Sequence, residues 1–324
     1  MKPLNSFVGR VAASLVGLAL CADAGLAQTP APASAGIDGV IAADAKVELI
    51  KGGADSGYLG LEGPVPTPDG GLYFTDIRPE RIYKLDKNGN IAVWREKTGG
   101  ANGLFLTKDG QLLAAEQTGK RIVSISADGR VVPLVTEFGG KPLRRPNDLV
   151  MDRKGGLYFT DPAGDLPEPS RVLYRRPSGE LILIEDKVFG FPNGLTLSPD
   201  EKTLYVGDPR HEWIYAYDVQ PDGSVKNSRP FIKLREPTKT PTGELRSGAD
   251  GMVVDSRGRL YVTSDNGIQV IGANGDFLGS SASRPKREVL RLAALENGRC
   301  TSPPPPICTG FRCCRKASPI ARNR

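Results

Sequence analysis

Five oxygen-bearing side chains recur at a single phase of this 324-residue chain: Glu62, Asn102, Asn147, Asn193 and Asp250. Each stands seven residues before the second residue of a turn, at Asp69, Asp109, Lys154, Asp200 and Arg257. Two carboxylates and three carboxamides, with no thiolate among them, form a hard oxygen set suited to Ca²⁺ and tolerant of Mg²⁺ or Mn²⁺, with Zn²⁺ a softer alternative. A divalent cation held with open positions polarises an ester carbonyl and lowers the pKa of bound water. Asp250 is the candidate general base or water-orienting group, because Glu62 is better placed as a ligand and the other members are neutral amides. Asn102, Asn147 and Glu116 are the candidate substrate contacts, with Asp208 a further candidate for the pocket wall.

The elements that must position these groups are visible as repeats. PDGGLYFTD from Pro68, KDGQLLAAE from Lys108, RKGGLYFTD from Arg153, PDEKTLYVGD from Pro199 and SRGRLYVTSD from Ser256 are copies of one turn and the strand it feeds. The glycines permit positive φ between two strands, and the LYFT-like runs have the residue types of buried strands. The five phased residues follow one another at intervals of 40, 45, 46 and 57 residues, the period of four-stranded propeller blades. The first strand of each blade lines the central channel, so one phase in every blade places the five side chains around one axis. Taken singly, Asn-Gly at 102 and 193 and Asp-Gly at 250 are also ordinary hairpin dipeptides.

Composition sets the compartment. Lys2 and Arg10, the apolar run Val11 to Leu20 and the small residues Ala22, Ala24 and Ala27 read as an export signal over 1–27. That run is too short to span a bilayer, and Leu20 before Cys21 argues against lipidation. Residues 28–44, rich in Ala and Pro, read as a flexible leader, and 45–279 as the propeller. Residues 280–324 hold ten Lys or Arg and two Glu; with that tail and the signal's two cations set aside, the body carries −4 of the chain's net +6. A mildly acidic body gives no case for nucleic-acid binding. Cys21 lies in the signal and Cys300, Cys308, Cys313 and Cys314 in the tail, so the propeller has no thiol with which to form a disulfide. The expectation is a periplasmic or secreted monomer, free of the membrane once the signal is removed.

The repeat stops at Gly279, where a closed propeller would need a last blade. The tail admits three readings: a Pro-rich linker, a metal-binding cysteine cluster, or a reading-frame error. Adjacent Cys313 and Cys314 match no usual zinc spacing. Codons started one base earlier over Cys300 to Phe311 are compatible with LYITAPTHLYRV, a strand like the LYVT and LYFT copies. The expectation is a frameshift between about Ser280 and Arg299, leaving the last blade incomplete or replaced by the aberrant basic tail.

The segments LEGPV (61–65), RPNDLVMDRKGGLYFTDP (145–162), FPNGLTLSPDEKTLYV (191–206) and GADGMVVDSRGRLYVTSDNG (248–267) resemble the regucalcin/gluconolactonase (senescence marker protein/luciferin-regenerating-enzyme-like) family of six-bladed β-propellers. The likeness covers Val47 to Gly279 and implies an all-β fold. It also implies a divalent-metal site made by Glu62, Asn193 and Asp250 with a contribution from Asn147. The implied activity is metal-dependent hydrolysis of a lactone, an aldonolactone above all. The alternatives are an aryl- or phosphate-ester hydrolase on the same ring and a non-catalytic ligand- or protein-binding propeller. His211, the only histidine, lies in PRHEWIYAYDV without a serine elbow nearby and reads as a loop or rim residue. Trp94 and Trp213 read as packing between blades, and Asp76, Asp161 and Asp208 as turn formers.

Overall fold

The computed structural model describes residues 36–42, 45, 57–164 and 166–281. The expected signal and all but the first two residues of the expected tail lie outside them, and with the tail the expected sixth blade. Five four-stranded antiparallel sheets account for most of the described chain. The first holds β1 (Leu61–Pro66), β2 (Leu72–Asp76), β3 (Arg81–Leu85) and β4 (Ile91–Glu96); the second β5 (Ala101–Leu106), β6 (Leu112–Glu116), β7 (Arg121–Ile125) and β8 (Val131–Val135). A short hairpin, β9 (Glu137–Phe138) and β10 (Lys141–Pro142), precedes the third sheet: β11 (Leu149–Met151), β12 (Leu157–Asp161), β13 (Arg171–Arg175) and β14 (Leu181–Glu185). The fourth has β15 (Leu195–Leu197), β16 (Thr203–Val206), β17 (Trp213–Val219) and β18 (Val225–Lys233). After a second hairpin, β19 (Thr238–Lys239) and β20 (Leu245–Arg246), the fifth has β21 (Met252–Val254), β22 (Leu260–Ser264), β23 (Gly267–Ile271) and β24 (Phe277–Ser281).

These sheets are propeller blades. Inner strands neighbour one another in chain order, β1 beside β5, β5 beside β11, β11 beside β15 and β15 beside β21. The repeated turn joins the first two strands of each blade. In blade one the Thr67 and Gly71 backbones bond at 3.0 Å, Thr67 Oγ1 donates to Asp69, and Gly70 takes φ +84°. The same closure recurs at Thr107–Gln111, Asp152–Gly156, Ser198–Thr203 and Asp255–Arg259, which is why turn residues and strands repeat together.

Each sheet is apolar on both faces, so the cores lie between blades. Val65 and Ile82 meet Leu104, Leu106 and Val123 between blades one and two; Leu113 and Ile122 meet Leu149, Phe159 and Leu173 between two and three. Tyr158 and Tyr174 meet Leu195, Leu204 and Tyr217 in the next interface, and Ile214 and Ala216 meet Leu260 and Val262 in the one after. Trp94 packs on Tyr73 at 5.0 Å between centroids, within the first of these interfaces. Trp213 departs from the packing role expected of it, standing 36% exposed at the start of β17. Residues 36–42, inside the stretch expected to be a flexible leader, close a turn in which Ile37 is only 3% exposed. Ile37 packs on Tyr261, Ile268 and Val270 of blade five, and Arg259 Nη1 donates to Gly39 O at 2.8 Å. Among the described residues no helix is long and apolar enough to cross a membrane.

Candidate functional site

All five phased residues sit at the same end of the inner strands. Glu62 and Asn102 are second in β1 and β5, just ahead of irregularities in strand register, while Asn147, Asn193 and Asp250 come two residues before β11, β15 and β21. Backbone bonds set each against its second strand: Asn147 N to Thr160 O at 3.0 Å, Asn193 N to Gly207 O at 2.9 Å and Asp250 N to Thr263 O at 3.0 Å. The hairpin-dipeptide reading of Asn102-Gly103 and Asn193-Gly194 therefore fails, since the first pair lies within β5, the second leads into β15, and neither glycine has positive φ.

Hydrogen bonds join these positions from blade to blade. Thr75 Oγ1, opposite Glu62 in the ladder, donates to Asn102 O at 2.9 Å. Gly103 N donates to Asn147 O at 2.8 Å, and Thr160 Oγ1 donates to Asn193 O at 2.8 Å. The Asn193 side chain then hydrogen-bonds the Asp250 carboxylate directly. The ring is thus continuous from blade one to blade five, and its spacing is fixed by main-chain atoms as much as by side chains.

Three of its side-chain oxygens lack a protein donor among the described residues. The Oδ1 atoms of Asn102, Asn147 and Asn193 are buried and accept no hydrogen bond from any described residue, although buried amide oxygens ordinarily find donors. The Glu62 Oε2 is also shut off from solvent. Among the described residues no three His, Cys, Asp or Glu side chains gather as a metal cluster, so a cation at this ring would draw on amide oxygens together with Glu62 and Asp250. Neutral amide acceptors beside two carboxylates fit a hard divalent ion.

Sequence reasoning missed one neighbour of the ring. Glu62, Asn102, Asn193 and Asp250 are each followed by glycine, but Asn147 is followed by Asp148. Its carboxylate accepts the Leu149 N–H at 2.9 Å and the N–H of Leu195 in the next blade. Asp148 also lines a cavity of ≈ 320 Å³ that runs beneath the ring along the inner strands, past Leu104, Leu149, Leu195 and Met252. Burial pushes the Asp148 carboxyl up to about 7 against those two hydrogen bonds. Asp250 is likewise pushed up to about 7, by burial first and the Asp148 charge second, while the bond from Asn193 pulls the other way.

These shifts have a sign that can be measured. The fold favours both protonated carboxyls, so the stability they contribute is complete below the ordinary value of 3.8 and is lost as pH rises through about 7. In EDTA the Tm is expected to fall between about pH 5 and pH 8, and Ca²⁺ should raise it more at the higher pH, where cation and proton no longer compete. Calorimetric scans across that range, with and without Ca²⁺, check both statements; a flat metal-free profile would contradict the shifts.

Glu116 and Asp208 engage protein partners. Glu116, expected to touch substrate, is 2% exposed and pairs with Arg121 at 2.5 Å, packed beside Gly99 and Gly119. Asp208, expected at the pocket wall, is buried and accepts backbone N–H groups of Phe191 and Arg210 at 2.7 Å each. His211 sits edge-on to Phe189 and Tyr215.

Fold and site together define a β-propeller in which the inner strands of five blades carry side-chain oxygens at one common end. The chain belongs to the SMP-30/Gluconolactonase/LRE-like family, whose region matches residues 61–283. It is similar to a gluconolactonase of Zymomonas mobilis subsp. mobilis, 26% identical over 292 residues that cover 81% of this chain and 80% of the relative. A pentonolactonase of Haloferax volcanii is 28% identical over 230 residues, 67% of this chain and 72% of the relative. The solved structure of a gluconolactonase from Xanthomonas campestris superposes with a TM-score of 0.62 at 28% identity, covering 70% of this chain and 77% of that one.

Proposed function

We propose that this chain is a metal-dependent lactonase whose substrate is a sugar lactone of the aldonolactone class. Lactone hydrolysis follows from family membership and from two relatives that act on gluconolactone-type and pentonolactone-type rings. The observation that carries the site is the set of three buried amide oxygens at one phase, none with a donor among the described residues, next to the bonded pair Asn193 and Asp250. Glu62, Asn147, Asn193 and Asp250 would hold a divalent cation, Ca²⁺ by the hardness of the set. The chemistry such a cation supplies when bound is polarisation of the lactone carbonyl.

The chain's own groups supply the rest. Asp250 would orient the attacking water and accept its proton through the carboxylate oxygen turned to the substrate; the upward push on its carboxyl belongs to the metal-free ring, and a bound cation opposes it. Asn193 holds that carboxylate in place through its side-chain bond. The Asn102 carboxamide, whose residue is tied to the ring through its backbone carbonyl, would meet a substrate hydroxyl. A panel of lactones assayed with and without EDTA tests this reading: hydrolysis should fall by about 10²-fold or more on chelation and return with Ca²⁺. Turnover indifferent to EDTA would remove the metal, and no hydrolysis of any lactone would favour an ester substrate or a binding role.

In this reading the ring has six blades, and the sixth is encoded in the alternative frame of the 280–324 region. The LYITAPTHLYRV strand available at 300–311 and the regular intervals of the other five support it. A frame-corrected chain should melt higher than the chain as written, because a sixth blade would bury sheet faces and edges that are otherwise open; equal melting temperatures, or resequencing that upholds the present frame, would discard it. Residues 1–27 would direct the protein to the periplasm or outside the cell, where it acts as a monomer.

A further inference from the structure

A second set of acids follows the first at a fixed offset. Asp76, Glu116 and Asp161 lie 14 residues after Glu62, Asn102 and Asn147, and Asp208 and Asp265 lie 15 residues after Asn193 and Asp250. In every blade the acid ends the second strand or comes just after it, beside the chain that leads into the ring. Asp76, Asp161 and Asp208 are fully buried.

What these three hold is specific. Asp76 takes the Leu59 N–H with both oxygens at 3.1 Å and also accepts from the Gly60 backbone, three and two residues ahead of Glu62. Asp161 Oδ1 takes the N–H groups of Arg144 and Arg145 at 2.8 and 2.9 Å, three and two residues ahead of Asn147. Asp208 Oδ2 takes the Phe191 N–H at 2.7 Å, two residues ahead of Asn193. Glu116 occupies the equivalent place against Gly99, three residues ahead of Asn102. In blade five Asp265 lies against Gly248, two residues ahead of Asp250, but binds Thr238 and Arg246 of the second hairpin.

We propose that Asp76, Asp161 and Asp208 are positioning residues: each clamps the backbone two or three residues before Glu62, Asn147 or Asn193 and so aims that side chain's oxygen at the centre of the ring. Turn formation alone does not require this, since their carboxylates bond across to the segment entering the inner strand, 16 or 17 residues away in sequence. Buried carboxylates that fix main-chain donors at a set distance are a rigid way to orient metal ligands they never touch, and loss of such support commonly weakens metal binding 10- to 100-fold.

The inference rests on the ring reading, and Asp208 is the best place to test it. Neutralising Asp161 would strand the buried Arg171, its partner at 2.5 Å, whereas the Asp208 carboxylate accepts from the backbone donors Phe191 N and Arg210 N. Asp208→Asn replaces one acceptor with an NH₂ that faces an N–H group. In calorimetric titration of the full chain, Ca²⁺ Kd should rise about 10- to 100-fold, and in EDTA the Phe191 and Asn193 amides should exchange faster while the remaining blades stay protected. Asp76→Asn, acting through Leu59 and Glu62, should raise Kd in the same range and is the second variant should the first not fold. A variant that loses Tm but keeps the parent Kd within twofold is merely structural and overturns the proposal. A parent chain that binds no Ca²⁺ overturns the ring reading itself, a result distinct from unchanged affinity in the variants.

Discussion

Asp250→Asn is expected to lower kcat for lactone hydrolysis by about 10²- to 10⁴-fold, the usual contribution of a positioned base, and to leave the propeller folded. The backbone that holds residue 250 bonds Thr263 O through its own N–H, and an amide side chain does not disturb that contact. What changes is the carboxylate. It can no longer accept a water proton, and it brings one negative charge fewer to the ring. The same change has an opposite effect on stability, which makes the prediction distinctive. Burial and the Asp148 charge disfavour the ionised form and push the carboxyl up to about 7, so at about pH 8 the metal-free parent retains a charge that its fold opposes. The variant lacks it and is expected to melt above the parent in EDTA at that pH while being nearly inactive with Ca²⁺. Parent-like kcat in Asp250→Asn would remove the residue from the chemistry, and a lower metal-free Tm would show that its charge is not the strained element.

The ring was legible in the sequence because propeller blades convert regular spacing along the chain into a common radius. Phase alone could find Glu62, Asn102, Asn147, Asn193 and Asp250, since it needs only the turn as a ruler. Phase could not show what joins them. Thr75 and Thr160 read as strand formers in LYFT, and their hydroxyl bonds to Asn102 O and Asn193 O depend on where the next blade's carbonyl arrives. Asp148 was within reach of sequence reasoning, as the one place among the five where the residue after the ring position is not glycine. Glu116 was assigned to the pocket from its strand end, but register does not reveal that Arg121, across the hairpin, captures its carboxylate. For Ile37, an Ala- and Pro-rich composition outweighed a local apolar pattern of Ile37, Val40 and Ile41 that does pack on blade five.

Gly194→Ala should damage the site more than its size suggests. A Cβ added at residue 194 would lie 2.1 Å from Asp250 O, 3.0 Å from Gly251 Cα and 3.1 Å from Asp250 C. Gly194 has no positive φ, so alanine suits its own backbone and the penalty comes from the neighbouring blade. That neighbour is main chain and cannot rotate away: Asp250 N is bonded to Thr263 O and Thr263 N to Gly251 O. Gly194 is held equally, with its carbonyl bonded to Gly207 N at 3.0 Å. Ordinary contact between the new methyl and the Asp250 carbonyl requires the two inner strands to part by roughly an ångström or more, and the bond from Asn193 to Asp250 spans that gap. Overpacking of this kind costs about 3 kcal/mol, a Tm loss of roughly 6–12 °C for a domain of this size, and Ca²⁺ Kd should rise about 10-fold or more as the two ligands separate. Gly60→Ala is the matched control, because its Cβ would meet nothing closer than 3.8 Å and both quantities should stay at parent values. If Gly194→Ala binds Ca²⁺ as tightly and melts within about a degree of the parent, blades four and five do not set the ring's geometry through this contact.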